Sequence, residues 1–77
     1  MQDRNAQKLI DMLVYRFGKS AGSVFSLFHP DLLQVWSTDG TQREYFDAAK
    51  HAVQKGWIKK NLDRWALTKL GAEAAGK

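Results

Sequence analysis

The chain contains no cysteine, and this excludes a disulfide framework and any thiolate metal site. The absence also suits a reducing compartment, so a cytoplasmic setting is the expectation. Proline occurs once, at Pro30, so no proline-rich linker divides the chain. No apolar run approaches the roughly 18 residues that a membrane helix needs, and no membrane partner is expected. The opening MQDRNAQ is polar and lacks the apolar segment of a signal peptide. With 77 residues there is room for one small domain, 1–77, and a modest core. Hydrophobic residues nevertheless make up 44%, which places the chain among globular rather than disordered sequences.

Motifs for chemistry are also missing. The two histidines, His29 and His51, are not spaced as a ligand pair. The carboxylates are scattered, and no G-x-S-x-G presents a nucleophile. Gly18-Lys19-Ser20 resembles the end of a phosphate-binding loop, but Leu13 stands where that motif needs a glycine. The expectation is a non-enzymatic protein with no metal and no cofactor.

Charge is present but unevenly distributed. Residues 1–40 balance four cations with four carboxylates. Residues 41–77 hold eight cations against four carboxylates, so the whole net charge of +4 lies there. A one-sided basic surface is the electrostatic footprint of a polyanion binder.

That second half has the clearest local signals. Thr41 and Glu44 form a T-x-x-E capping box after the turn signal Asp39-Gly40. Lys55 and Gly56 supply a cation and a stop at the other end. A helix is therefore predicted over about 42–55. Its apolar side carries Tyr45, Phe46, Ala48, Ala49, Ala52 and Val53, and its polar side carries Arg43, Asp47, Lys50, His51 and Gln54. Trp57 to Lys60 and Arg64 to Thr68 read as two short strands around the loop Asn61-Leu62-Asp63. Trp65 and Leu67 share one face, available to cover the helix. Lys59, Lys60 and Arg64 gather near the tip. Thr68 caps a last alanine-rich helix over about 69–75.

A helix closed by KGWI, a basic hairpin and then RWALTKLGAEAA resembles the C-terminal half of winged-helix (winged helix-turn-helix) domains. The positions that carry the likeness are Gly56, Ile58, Leu67, Thr68 and Gly71. The resemblance covers about 28 residues well and points to no single family within the fold. It implies an α+β, mostly α fold: a three-helix core, a small antiparallel hairpin as the wing, and a short C-terminal helix.

The first half fits this frame. Ala6, Leu9, Ile10, Leu13 and Phe17 make a core stripe on a helix predicted over 5–17, capped by Asn5 or Asp3 and ended by Gly18. Met12 and Val14 flank that stripe. Ser23 to Phe28 is open between a short strand joining the wing and a helical turn. Pro30 suits a first helical turn, and 30–36 reads as a short helix with Leu32, Leu33 and Trp36 turned inward. His29 is expected in a loop and His51 exposed on the third helix. The three tryptophans, Trp36, Trp57 and Trp65, are expected as large apolar plugs rather than platforms for single-stranded bases.

The resemblance implies double-stranded DNA as the partner, as in small transcriptional regulators or plasmid- and phage-type accessory factors. The helix over 42–55 would enter the major groove with Thr41, Gln42 and Arg43 nearest the bases and Asp47, Lys50 and Gln54 behind them. Arginine suits guanine and glutamine suits adenine, each through two hydrogen bonds. Lys59, Lys60 and Arg64 would meet phosphate or the minor groove, with Lys19 and Lys55 as further phosphate contacts. Asp47 is the member that phosphate would repel. Two alternatives stay open: a protein-interaction module on the same fold, and a homodimer in either case.

Overall fold

The computed structural model describes residues 2–38 and 40–76. The chain is α+β. In order it forms helix α1 (Gln2–Asp11), a π-helical segment (Met12–Arg16), strand β1 (Val24–Phe25), α2 (Pro30–Trp36), α3 (Gln42–Gln54), β2 (Ile58–Asn61), β3 (Arg64–Leu67) and α4 (Lys69–Ala74). The three strands make one antiparallel sheet in the order β1-β3-β2. Among the described residues, no helix is long and apolar enough to cross a membrane.

The first helix departs from the sequence pattern at both ends. It begins at Gln2, so Asp3 and Asn5 lie within it rather than capping it. Its last turn widens: the amide of Phe17 bonds to the Met12 carbonyl, five residues back, at 3.2 Å. A wider turn is the mark of π-helix. Met12, Leu13 and Val14 are all buried there, three residues in succession, where a 3.6-residue period keeps Met12 and Val14 at the flanks. Gly18 then closes the helix at φ +66°, as its position predicts.

Ser23 to Phe28 resolves as a two-residue strand followed by a turn. Val24 pairs with Ala66 and Phe25 with Trp65. Two further backbone bonds, Gly22 N–H to Leu67 at 2.7 Å and Leu67 N–H to Ser23 at 3.0 Å, lengthen the join. His29 caps α2: its Nδ1 accepts from the Asp31 amide at 3.1 Å, and Pro30 occupies the first turn.

The core lies between α1, α3 and the inner face of the sheet. Trp36, Tyr45, Leu9, Ile10, Leu13, Ile58 and Leu67 are its largest fully buried side chains. Burying each contributes about 1.5–3 kcal/mol, except that the two aromatics bring larger areas. Ala48, Ala49 and Ala52 form the floor of α3, and their small size lets α1 lie close. Trp36 alone of the tryptophans is a buried plug, at 2% exposure. Trp57 and Trp65 are only half-buried, because each sits where the sheet meets solvent. Leu33 is likewise half-buried beside the fully buried Leu32.

The C-terminal motif has a direct structural reading. The Thr68 hydroxyl donates to the Gly56 carbonyl and accepts from the Gly71 amide at 3.0 Å, capping α4. The Thr68 amide bonds to the Trp57 carbonyl at 2.9 Å. A Cβ on Gly71 would stand 2.1 Å from that same carbonyl oxygen. The end of α3, the entry to β2 and the start of α4 therefore meet at one point, and that point admits no side chain at Gly71.

Candidate nucleic-acid interface

The start of α3 is fixed on both sides. The Thr41 hydroxyl accepts from the Glu44 amide at 3.1 Å, and the Glu44 carboxylate accepts from the Thr41 amide at 2.8 Å. The capping box is complete, and it holds the Glu44 charge at the helix terminus, away from the outward stripe. The Trp36 indole donates to the Thr41 carbonyl at 2.8 Å, which ties the end of α2 to the beginning of α3. Gly40 lies in the turn between them. A Cβ there would come 2.7 Å from the Trp36 indole nitrogen, so the turn closes only over glycine. Its neighbour Asp39, half of the expected turn signal, lies outside the described residues.

With the helix wound at 100° per residue, Arg43, Asp47, Lys50 and Gln54 fall within about 30° of the direction opposite the buried arc. All four are exposed. They form a straight polar stripe along the outer side of α3, with Thr41 and Gln42 exposed at its N-terminal end. His51, expected to be exposed, is half-buried on the flank. Lys55 follows the helix as its C-cap, with Nζ 5.1 Å from the centre of the Trp57 ring.

The hairpin distributes its cations over two faces. Lys59 pairs with Ala66 and Asn61 with Arg64, whereas Lys60 pairs with Trp65 and Ile58 with Leu67. Alternation along the strands therefore puts Lys59 and Arg64 on one face and Lys60 on the other, the face shared with Ile58 and Leu67. Lys60 Nζ lies 5.8 Å from the Trp65 ring centre. Among the described residues, no salt bridge engages Arg43, Lys50, Lys59, Lys60 or Arg64. Lys19, by contrast, is half-buried beside Phe17, Phe25 and His29.

Two features escape the sequence pattern. Phe46 and Val53, placed on the apolar side, are 40% and 39% exposed. They lie about 100° from the centre of the buried arc, at its edge, where periodicity does not decide burial. With Leu27, Phe28, Ala49 and Trp65 they line a groove of about 390 Å³ between α3 and the sheet, to which Lys50 and Gln54 also contribute. The Phe28 and Phe46 rings pack at a tilt of 54°, 5.7 Å between centres. The second feature is Leu62 at the hairpin tip, in a left-handed conformation (φ +60°). The residue types there predict a three-residue loop, Asn61-Leu62-Asp63; Asn61 belongs instead to β2, and the loop has two residues.

No three His, Asp or Glu residues gather as a metal site among the described residues. Compared with known proteins, the chain matches no family model, no curated protein and no solved structure.

Proposed function

We propose that this chain is a winged-helix protein that binds double-stranded DNA, with α3 in the major groove and the β2–β3 hairpin on the adjoining backbone. The observation that carries the reading is the outward stripe of α3, continued by exposed wing cations that no carboxylate among the described residues neutralises. The antiparallel pairing of β1 with β3 supports it further, since winged-helix domains often add such a strand to the wing.

Within this reading Gln42 and Arg43 are the residues for base edges. Lys50, Lys59, Lys60 and Arg64 neutralise phosphate and set the register. Thr41 acts through its cap, by holding the first turn, rather than as a direct reader. Asp47 sits between Arg43 and Lys50 on the stripe, where a carboxylate suits cytosine N4 and disfavours phosphate. The activity is binding, in a cytoplasmic regulator or accessory factor, and a homodimer would double the number of phosphates engaged.

Fluorescence anisotropy with a labelled mixed-sequence duplex tests this at several salt concentrations. Affinity should fall steeply with salt. A Lys59→Ala/Lys60→Ala/Arg64→Ala variant should flatten the slope by about 0.9 for each phosphate that is no longer neutralised. Absence of binding at low salt would remove the reading.

A second reading, docking of a protein partner, is favoured by one observation: the apolar groove between α3 and the sheet. It gains force if the DNA titration fails.

A further inference from the structure

We infer that Leu62 is a wedge that enters the DNA minor groove and unstacks a base step, so that the bound duplex is bent. The inference rests on the DNA-binding reading above and extends it to the shape of the complex.

Leu62 is 88% exposed, more than any other large hydrophobic residue described. Among the described residues it is also the only non-glycine with a positive φ, at +60°. Positive φ at the first of two turn residues, and not the second, is the pattern of a type II′ hairpin turn, where glycine normally sits. Asn61 and Asp63, the residue types that adopt left-handed backbone more readily, stand on either side of it. The chain thus puts a branched apolar side chain at the one tip position that penalises it, and extends it into solvent. At 88% exposure the side chain buries little that could offset that cost. A strained, exposed residue held by well-formed neighbours is the kind of outlier that points to a function.

The surroundings identify the occupant. Lys59, Lys60 and Arg64 lie within three positions of Leu62, and Asp63 opposes them, which leaves three cations against one carboxylate. An apolar point within a cationic rim fits a site that is apolar inside and anionic around it. A base step beneath two phosphate strands has that character. The tip is the exposed end of the hairpin: Asn61, Leu62, Asp63 and Arg64 are all exposed, whereas Ile58, Ala66 and Leu67 at its base are buried. Apolar wedges of this type, leucine included, part base steps from the minor groove and kink the duplex. Pyrimidine–purine steps such as TA unstack most easily, so the inference also assigns a preference for them.

The test uses the full chain and a doubly end-labelled duplex of about 30 base pairs with a central TA step. Resonance energy transfer reports the end-to-end distance, and anisotropy reports affinity. The wild type should shorten the distance by the amount of a bend in the 20–90° range. Leu62→Gly should bind about tenfold more weakly, without shortening, and should unfold at an equal or higher denaturant concentration because the turn is relieved. Wild-type binding without bending, equal bending by Leu62→Gly, or a less stable Leu62→Gly would each overturn the wedge and leave DNA binding intact. No binding by the wild type would remove both. Binding to phosphatidylserine vesicles that depends on Leu62, with no bend in DNA, would reassign the tip to a membrane surface and overturn the wedge as well.

Discussion

The indole of Trp36 donates its proton to the backbone carbonyl of Thr41 at 2.8 Å, while its ring meets Tyr45 edge-on at 5.4 Å. One side chain therefore sets both the angle at which α2 turns into α3 and the depth at which α3 sits. Trp36→Phe keeps much of the apolar packing and removes the donor. It should destabilise the chain by about 2–4 kcal/mol, combining a missing hydrogen bond with a partial cavity. In urea unfolding the midpoint falls and the dependence on denaturant concentration stays the same. A midpoint within error of wild type would show that the turn is held by something else.

Gly71 should tolerate no other residue. Alanine would place a methyl group against the Trp57 carbonyl, at a backbone that cannot yield without opening the junction of α3, β2 and α4. A loss of at least about 2 kcal/mol is expected. Gly22→Ala makes a useful comparison, because its Cβ would meet nothing within 4 Å and only its φ of +88° opposes the change. Thermal melts should rank Gly71→Ala as the more damaging.

Tyr45 is buried, and its hydroxyl donates to the Leu27 carbonyl at 2.5 Å. Burial pushes its ionisation well above the ordinary value of 10.0. The raised pKa stabilises the fold fully below pH 10, where the unfolded tyrosine is also protonated. That contribution then declines as pH rises, because the unfolded state ionises first. Tyr45→Phe should cost about 1–3 kcal/mol at pH 8 for the unsatisfied carbonyl. The gap between the two proteins should narrow above pH 10, by at most about 1.4 kcal/mol per pH unit. A constant gap between pH 8 and pH 11 would contradict the burial of this hydroxyl.

Thr41→Ala removes one half of the capping box and releases Glu44. The stability loss should be about 1 kcal/mol. If α3 reads DNA, the affinity loss should exceed what unfolding explains, since a freed carboxylate then stands at the end nearest phosphate. Thr41→Ser, which keeps the acceptor, should restore both.

Much of this fold is legible in the residues themselves. The boundaries of α2 and α3 follow from Pro30, the Thr41/Glu44 box and Gly56, each a local rule obeyed within a residue or two. The two strands of the hairpin follow from their β-branched and aromatic runs, though the length of its loop does not, and α4 follows from Thr68. What does not show is set by neighbours remote in sequence. The π-helical turn at Met12 answers to the way α1 meets the core and leaves no signature in a 3.6-residue period. Phe46 and Val53 lie at the edge of an apolar arc, where exposure depends on how far the sheet extends. The stripe of Arg43, Asp47, Lys50 and Gln54 is visible from spacing alone. The division of Lys59 and Lys60 between two faces requires the register with β3.

The sheet order leaves β2 at an edge, with its outer row of amides and carbonyls unpaired by any other described strand. An open edge invites another chain to add a strand to it. Consecutive lysines on that edge would bring like charges together in a symmetric pairing and thereby discourage self-association. Lys59 and Lys60, two of the four residues proposed to hold phosphate, would thus also keep the protein from aggregating. A variant that neutralises them has to be shown to run as the wild type does in gel filtration before its weaker DNA binding is credited to the missing cations.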